Sequence, residues 1–367
     1  MMKLKPIAFY LPQFYPTPEN DEWWGKGFTE WTNVAKAKPL FKGHYQPKIP
    51  ADLGFYDLRV PEVREQQAEL AREAGVDGFC YWHYWFGNGK ELLERPFKEV
   101  VESGKPDFPF CLGWANEDWQ AKIWNATGTA KVKETLIKQE YPGEKDHILH
   151  FKKYTKAFKD LRYIRIDNKP VFLIYNVQKF ESLDFFIDIW NDLIKKENIA
   201  DEFFFIGMLN TPDESSLPIC KKFSSWTLTS TYLLNQTYSS QSKIKQIYQD
   251  VTNRRFKRVI RINFSRLNQI LGKMNQLNAA EKYIPTLFPN WDHSPRSGNS
   301  AIILDKSTPQ LFQQQCVDMF SSIKNKKNKL IFLKSWNEWG EGNYMEPDLK
   351  HGKGYIKALF NALKLFK

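Results

Sequence analysis

The sequence predicts an α/β protein built on a (β/α)8 barrel. Three observations support this fold class. Eight short apolar runs alternate with polar and helical stretches along the chain, which is typical of βα units and a parallel sheet. Some runs, such as residues 171–175, are apolar throughout, as expected for strands covered on both faces. The 367 residues, 42% of them hydrophobic, suffice for one barrel, so we expect a single catalytic domain over 1–367.

The predicted strands follow in chain order from the apolar runs. They are residues 6–11, 76–82, 108–115, 170–175, 203–209, 224–230, 283–288 and 330–336. The sixth run is the weakest, and an amphipathic helix is expected over about 61–74. A doubly wound open sheet is the main rival, but it usually carries a glycine-rich phosphate turn after its first strand. Here that strand is followed by PQFYP, without glycine, which disfavours nucleotide binding of that kind.

Two long connections stand out. Residues 17–60, after the first strand, contain the segment WWGKGFTEW at 23–31, and long loops of this kind are often functional. An insertion at about 233–280 is rich in lysine and arginine, and we expect it to be helical. It accounts for much of the net charge of +11. Its basic residues form either a solvated face or a surface that meets anionic lipid or an anionic glycan.

The rest of the composition narrows the function classes. The four cysteines are far apart, which predicts neither a disulfide framework nor a zinc site. We expect no cofactor and no metal. No nucleic-acid partner is expected, because the basic residues lack interleaved aromatic platforms. Without an apolar signal segment or an 18-residue apolar span, the default location is cytoplasmic, peripheral to the inner membrane if the basic insertion binds lipid.

Polar and aromatic side chains collect where the predicted strands end, which is where barrel enzymes place their chemistry. Aromatics make up 16% of the chain, and indole rings either stack on sugars or fill the core. Acids, amides and tryptophans on one rim suit a neutral polyol, so we expect an oligo- or polysaccharide substrate. The candidate substrate-binding residues are Tyr10, Gln13, Trp23, Glu30, Trp31, Trp82, His83, Tyr84, Asn116, Glu117, Tyr175, Asp292, Arg296, Trp336, Asn337 and Trp339.

The candidate catalytic residues are Glu338 and Glu341 in the segment SWNEWGEG, residues 335–342. Two carboxylates three residues apart at a strand end can face one pocket. Glycosidic cleavage uses such a pair, one to protonate the leaving oxygen and one as base or nucleophile. The flanking tryptophans provide an apolar wall that could raise one pKa. A charged loop without catalytic function is the alternative.

The other motifs also allow two interpretations. In WANEDW, residues 114–119, Glu117 either binds a sugar hydroxyl or caps the next helix. The first long loop, with Glu30 and Trp31, either lines the cleft or is stapled for structural reasons. His83 is a hydroxyl ligand, a proton carrier or a structural rim residue, and Arg296 could meet an anionic group. A metal held by these histidines and acids has no supporting spacing.

Several of these motifs resemble the WbsX family. They are FYLPQF at 9–14, NDEWWGKGFTEW at 20–31, WANE at 114–117, WNEWGEG at 336–342 and EPD at 346–348. The resemblance covers nearly the whole chain. That family occurs with bacterial surface-polysaccharide genes, including O-antigen and capsule biosynthesis, and is labelled as glycosyltransferase. The terminal motif is also similar to that of glycoside hydrolase family 99, the endo-α-mannosidases.

The mannosidase resemblance implies a retaining reaction. Glu338 would act as a general base on the sugar's own 2-hydroxyl, which displaces the leaving group through a 1,2-anhydro sugar. Glu341 would protonate the departing oxygen and then activate water. Substrate identity does not transfer, because the chain outside the motif differs from the mannosidases.

The leading hypothesis is therefore a glycoside hydrolase that acts on a bacterial polysaccharide or its lipid-linked precursor. The alternatives are a WbsX-type glycosyltransferase, a transglycosylase that uses the same glutamates, and a non-catalytic glycan-binding or scaffold protein. A transferase using nucleotide sugars would normally show a Rossmann-like half or a DxD-type metal site, and neither is evident. The intact glutamate pair argues against a scaffold.

Overall fold

The computed structural model describes residues 4–124, 130–212, 221–256 and 258–366. Its centre is a sheet of eight parallel strands, and each lies within a predicted run or overlaps it. They are β1 (Lys5–Tyr10), β2 (Gly78–Trp85), β3 (Phe110–Trp114), β4 (Lys169–Ile174), β5 (Phe204–Leu209), β6 (Ser225–Leu228), β7 (Thr286–Leu287) and β8 (Leu330–Leu333). Strands β1 to β6 are neighbours in chain order, and β8 pairs with both β1 and β7.

A backbone bridge brings β6 next to β7. The N–H of Trp226 donates to the carbonyl oxygen of Lys282 at 2.8 Å, and the N–H of Ile284 donates to that of Trp226 at 2.8 Å. Because these two bonds join the ends of the sheet, the eight strands form a nearly closed barrel. The predicted (β/α)8 fold class is confirmed.

Side chains alternate between the barrel interior and the surrounding helices, as the period of two in a strand requires. Phe9 of β1 stacks on Trp82 of β2 with ring centroids 4.8 Å apart, and on Phe332 of β8 at 4.7 Å. The next residue on each of the first two strands points the other way. Tyr10 donates to Gln67 at 2.7 Å, and His83 contacts His150. This alternation decides which rim residues face the interior.

Thirteen helices lie in the described part of the chain. They are α1 (Pro18–Trp24), α2 (Glu30–Lys36), α3 (Pro61–Ala74), α4 (Arg95–Ser103), α5 (Glu144–Lys159), α6 (Leu183–Lys196), α7 (Ser230–Ser239), α8 (Lys243–Phe256), α9 (Phe264–Lys273), α10 (Asn275–Ala279), α11 (Ser294–Ser297), α12 (Pro309–Ile323) and α13 (Gly354–Lys364). The helix expected at 61–74 is α3, which begins at a proline in its first turn and ends at Gly75 in the left-handed conformation. No helix in these segments is long and apolar enough to cross a bilayer.

The basic insertion is helical, as predicted, but it also contains a strand that the sequence analysis did not predict. Ile260–Asn263 pairs in parallel with Ile302–Asp305, which pairs antiparallel with Trp291–Asp292 just after β7. This three-stranded sheet fixes the insertion beside the carboxyl ends of the barrel strands. Lys257 of the insertion and Cys220 lie outside the described residues, and the other three cysteines are buried free thiols.

The long first connection folds over the same end of the barrel. Its helices α1 and α2 are followed by an irregular stretch that reaches the loop after β7. There the Asp292 carboxylate accepts a hydrogen bond from Gln46 Nε2 at 2.6 Å and contacts His44 Nε2 at 2.8 Å. Further on, the N–H of Leu349 donates to the carbonyl oxygen of Ile49 at 3.0 Å. The connection is therefore tied down at both of these points.

Four shorter strand pairings complete the sheet structure. Glu91–Leu92 pairs antiparallel with the end of β2, and Arg165–Ile166 pairs antiparallel with the start of β4. Trp119–Trp124 forms an antiparallel pair with Ala130–Ile137. Asn337–Glu338 pairs antiparallel with Asn343–Tyr344 directly after β8.

Candidate active site

The glutamate motif forms a tight hairpin at the carboxyl end of β8. Its two short strands, Asn337–Glu338 and Asn343–Tyr344, enclose a 3₁₀ turn over Trp339–Glu341. Gly342 closes the turn with φ at 57°, a left-handed conformation that favours glycine. Because the hairpin reverses the chain within five residues, both glutamate side chains face the mouth of the barrel.

Arg296 from α11 joins three glutamates. Its Nε donates to Oε1 of Glu30 at 2.8 Å, and its Nη1 lies 2.8 Å from Oε1 of Glu341 and 3.3 Å from Oε1 of Glu338. These carboxylates come from two separate parts of the chain: Glu30 from the first long connection, and Glu338 and Glu341 from the hairpin after β8. The arginine therefore fixes the relative positions of the first loop and the hairpin. The contact of Arg296 with an anionic group, considered from the sequence, stays a prediction.

Gly340 allows this close packing. A Cβ atom at this position would overlap the carboxylate of Glu30 and lie 2.9 Å from Nε of Arg296. Glycine is therefore required between Glu338 and Glu341 by the approach of the first loop.

Lys334 is a second cation in the site. Its Nζ lies 3.0 Å from Oε2 of Glu338 and 3.6 Å from Oε2 of Glu341. Ser335 Oγ donates to the same Glu338 oxygen at 3.0 Å. Lys334 lies inside the last strand predicted from the sequence, 330–336, and no function was predicted for it. A usable signal was available, because Lys334 is two residues beyond Phe332 and so points into the barrel.

The two glutamates have opposite pKa shifts. Burial raises the pKa of the Glu338 carboxyl, but Lys334 and Arg296 outweigh this effect and hold the pKa at about 2. Burial and the nearby Glu338 charge raise the pKa of Glu341, against the opposing effects of Lys334 and Arg296. Glu338 is therefore the anion of the pair and Glu341 the better proton carrier.

The separation of the carboxylates is also informative. Since one oxygen of each lies within 3.3 Å of the same arginine nitrogen, these two oxygens are at most about 6 Å apart. Retaining glycosidases have carboxyl groups roughly 5–5.5 Å apart, whereas inverting enzymes leave roughly 6.5–9.5 Å for a water molecule. This upper limit for one pair of oxygens is compatible with the shorter of the two ranges.

A cavity of about 160 Å³ opens beside Glu341 and Lys334. It has room for about five water molecules, or one sugar ring. Its floor is the last interior layer of the barrel, and aromatic rings contribute much of its wall. The remaining lining residues are Phe9, Trp82, Tyr175, Met208, Leu228, Ser230, Thr231, Thr286, Trp291 and His293.

The structure brings six of the predicted binding and catalytic residues to this cavity or to its charged wall. They are Glu30, Trp82, Tyr175, Arg296, Glu338 and Glu341. Trp82 and Tyr175 meet edge to face with centroids 5.7 Å apart. Tyr84 packs against Trp119 with ring centroids 5.3 Å apart; burial is the main cause of its raised pKa, and the charge of Glu338 adds to it.

Two predicted rim residues face the helices instead. Tyr10 is fully buried between β1 and α3. His83 Nε2 contacts His150 Nε2 at 2.6 Å, and burial lowers the pKa of His83 to about 3, so the ring is neutral. Both belong to the outward set of the strand alternation, which the sequence analysis did not separate from the inward set. The expectation that they line the sugar cleft is therefore corrected.

The amide residues of the motifs hold strand ends together. Asn116 donates to the carbonyl oxygen of Asn176 at 3.0 Å and accepts from its N–H at 2.7 Å, so it links the ends of β3 and β4. Glu117 accepts from Asn176 Nδ2 at 2.9 Å. Asn337 accepts from the N–H of Leu11 at 2.8 Å and donates to its carbonyl oxygen at 3.0 Å. The amides contribute to the site by positioning the loops that carry it.

The motif tryptophans support the site from outside the cavity. Trp339 stacks on Tyr344 with centroids 3.8 Å apart, and its Nε1 donates to Glu346 at 2.6 Å. Trp336 packs against Phe79 at 5.5 Å. Trp31 donates to the backbone oxygen of Tyr56 at 2.8 Å, which corresponds to the stapling alternative for the first loop.

Three further predicted residues lie in the first loop or its anchor. Gln13 Nε2 is 3.4 Å from Asn20 Oδ1, and Trp23 meets Trp119 edge to face at 5.6 Å. Asp292 is buried and holds the first loop through His44 and Gln46. Among the residues that the structure describes, no group of three His, Cys, Asp or Glu side chains is placed to hold a metal ion.

Comparison with known proteins decides the family. Residues 6–359 match the family model described as glycosyltransferase WbsX. The chain belongs to the WbsX family. A relative, the uncharacterised protein WxcX of Xanthomonas campestris pv. campestris, is 32% identical over 97% of this chain. The chain spans 49% of that relative's length.

Two solved structures share the fold of this chain. A glycoside hydrolase-like protein has a TM-score of 0.62 at 14% identity, over 99% of this chain and 94% of the other. The family 99 endo-α-mannosidase of Bacteroides thetaiotaomicron has a TM-score of 0.56 at 15% identity. The match covers 100% of this chain and 98% of the mannosidase. At these identities the likeness establishes the fold that the WbsX chain shares with them.

Proposed function

We propose that the protein is a retaining glycoside hydrolase that cleaves a glycosidic bond within a bacterial polysaccharide, with Glu338 and Glu341 as the catalytic pair. One observation carries the proposal. The two carboxylates share Arg296 and Lys334 at the carboxyl end of a barrel, beside a cavity the size of one sugar ring. Paired carboxylates at short separation are what retaining glycosidic cleavage requires.

The opposite pKa shifts of Glu338 and Glu341 suit them to different roles. Because its pKa is raised, Glu341 is the better suited of the two to protonate the departing oxygen, and the resulting carboxylate can then activate water. Glu338 stays ionised and faces the developing positive charge of the sugar ring. If the sugar's 2-hydroxyl is the nucleophile, Glu338 accepts its proton, and this step is easier once substrate displaces a cation from Glu338.

The aromatic wall supports a saccharide as the substrate. Trp82, Tyr175 and Trp291 surround the cavity, and indole and phenol rings pack well on the C–H faces of a sugar. The structural neighbour from Bacteroides is an endo-α-mannosidase, which favours cleavage inside a chain. We therefore propose an endo-acting enzyme on an oligo- or polysaccharide.

Glycosyl transfer is the second candidate, and it also has a specific observation in its favour. Arg296 and Lys334 are two cations within reach of the cavity, and cations stabilise a departing phosphate. The family description is that of a glycosyltransferase. A transglycosylase would use the same glutamates with a sugar hydroxyl in place of water.

Product analysis separates these candidates. The protein is incubated with the producer's polysaccharide and its lipid-linked repeat unit, with and without sugar nucleotides. The masses of the products are then measured by mass spectrometry. If the protein is a hydrolase, shortened fragments should form without any sugar nucleotide. In ¹⁸O-labelled water, each newly released end should carry one ¹⁸O atom. Chain extension that depends on a sugar nucleotide would contradict the hydrolase and establish the transferase. Exchange of fragments without ¹⁸O uptake would establish a transglycosylase.

We also propose that the protein works at the cytoplasmic surface of the inner membrane. The support is the density of lysine and arginine in the basic insertion, since anionic lipid attracts such segments. A lipid-linked polysaccharide precursor would be presented at that surface.

A further inference from the structure

Helix α8 (Lys243–Phe256) turns its apolar side chains toward solvent. Ile244, Ile247, Tyr248 and Val251 are 83%, 62%, 58% and 50% exposed. They stand at positions i, i+3, i+4 and i+7, which places them on one face of the helix. They form a continuous outward stripe, which we call the α8 stripe.

The opposite face of α8 is polar and buried. Gln249 and Thr252 are the buried residues of this helix. Gln249 Nε2 donates to the carbonyl oxygen of Arg261 at 2.6 Å, and Asn253 Nδ2 donates to that of Asn299 at 3.0 Å. A surface helix of a water-soluble domain normally has the reverse pattern, with its apolar face against the core. The hydrogen bonds hold α8 in place while its apolar face stays uncovered.

Basic side chains surround the α8 stripe. They are exposed, and none forms an ion pair with a carboxylate in the described segments; they are Lys243, Lys245, Arg254, Arg255 and Arg258. The acid on this helix, Asp250, accepts a hydrogen bond from Tyr238 at 2.5 Å. The surface therefore combines an apolar centre with a positive border.

The surface lies at the mouth of the active site. Asn299, which anchors α8, is three residues after Arg296, and Arg261 stacks over Phe41 of the first loop at 3.7 Å. A cavity of about 620 Å³ runs between Phe41 and Tyr248. Whatever covers the α8 stripe also lies beside the entrance to the glutamate site.

We propose that α8 docks on the surface of an anionic lipid bilayer, with the α8 stripe in the acyl boundary and the basic side chains on the headgroups. Helices with an apolar face, a cationic border and low overall hydrophobicity lie in the interface in this way. A second copy of the chain is disfavoured, because a symmetric contact would set these cations against their own copies. An anionic glycan would neutralise the cations but leave the apolar stripe in water. Docking would turn the active site toward the membrane, and it does not depend on the reaction proposed above.

Vesicle sedimentation tests this proposal. The full chain is mixed with vesicles of phosphatidylcholine alone or with phosphatidylglycerol added. Wild type should bind the anionic vesicles, and added salt should weaken the binding. The double variant Ile247→Asp, Val251→Asp should bind at least about tenfold more weakly. Leu161→Asp is the matched control, since that leucine is fully exposed at the other end of the barrel and should bind like wild type.

Several outcomes would overturn the proposal. These are a wild type that binds neither vesicle, a double variant that binds like wild type, or a wild-type dimer in analytical ultracentrifugation that the double variant dissociates. The substituted side chains are exposed, so unchanged thermal unfolding is expected and should be checked by circular dichroism. Hydrolysis of a water-soluble oligosaccharide should be the same in wild type and double variant, which separates docking from catalysis.

Discussion

The Nζ atom of Lys334 lies 3.0 Å from Oε2 of Glu338, inside the barrel and beside the candidate proton donor Glu341. This cation lowers the pKa of both carboxyls. The ionised state of Glu338 therefore depends on a lysine that lies four residues before it, directly after β8 and outside the motif at 335–342.

Substitution of Lys334 should move the pH–rate profile. Activity requires Glu338 ionised and Glu341 protonated, so the acidic limb follows the pair's lower pKa and the basic limb its upper pKa. The positive charge of Lys334 lowers both pKa values. Lys334→Met removes this charge, so both limbs should shift to higher pH by about 1–3 units. Lys334→Arg keeps the charge and should shift them far less. Unmoved limbs in the Met variant would show that Lys334 does not control the pair.

Gly340→Ala should disable the site without unfolding the barrel. The added methyl group overlaps the Glu30 carboxylate, so the Glu30–Arg296 ion pair must break and Arg296 must move. A displacement of about 1 Å near reacting groups can cost roughly 100-fold in kcat, and we expect a loss of that order. Glu30→Gln should reproduce part of this loss in kcat, because the amide keeps the shape of the carboxylate but not its charge. A kcat within twofold of wild type would contradict this reading of the Arg296 cluster.

Glu346 should make stability depend on pH. It accepts hydrogen bonds from Trp339, Tyr56 and Gln67 behind the hairpin. Burial outweighs these neutral donors and raises the pKa of Glu346 to about 7. Between about pH 4.5 and 7 the folded protein keeps a proton that the unfolded chain releases, so stability from this group is lost as pH rises through that window.

Glu346→Gln removes this dependence. From pH 5 to pH 8, the free energy of unfolding of the variant relative to wild type should rise by about 3 kcal/mol. Urea unfolding of both proteins at the two pH values measures this difference. The contributions of the buried histidines cancel because both proteins contain them. An equal difference at pH 5 and pH 8 would show that Glu346 is not protonated in the fold.

Asp292→Ala should loosen the first long loop. The buried carboxylate contacts His44 and Gln46, and its charge also acts on the buried Lys48. Removing it deprives His44 and Gln46 of this acceptor and Lys48 of a neighbouring negative charge, which costs about 3 kcal/mol in a buried site. Limited proteolysis should then cut faster within residues 37–60. Asp305→Ala is the control, because the exposed Arg261–Asp305 pair is worth less than about 1 kcal/mol. Equal losses in the two variants would contradict the anchoring role.

The barrel could be predicted from sequence because its signals are local. Each strand is a short apolar run such as LIFL at 330–333, and the helix at 61–74 carries its own proline start and glycine end. Ile260–Asn263 was missed because its partner, Ile302–Asp305, is some forty residues away and the surrounding segment is basic. Pairing over that distance leaves no local periodicity.

The site was predicted in part. Glu338 and Glu341 are adjacent in one motif, whereas the link between Glu30 and Arg296 joins residues 266 positions apart. The errors at Tyr10 and His83 have one physical cause. A strand end offers residues to both faces, and treating the whole end as the rim ignores the alternation. Applying the period of two from Phe332 would have selected Lys334 as an inward residue.

The most direct test of the central claim measures the release of reducing ends from the producer's polysaccharide, without sugar nucleotide, by wild type, Glu338→Gln and Glu341→Gln. The account predicts release by wild type and a loss of at least about 100-fold in each variant, with thermal unfolding close to wild type. A leaving group that needs no protonation, such as a fluoride, should restore cleavage in Glu341→Gln and not in Glu338→Gln. Undiminished release by either variant would show that the glutamate pair is not the catalytic pair.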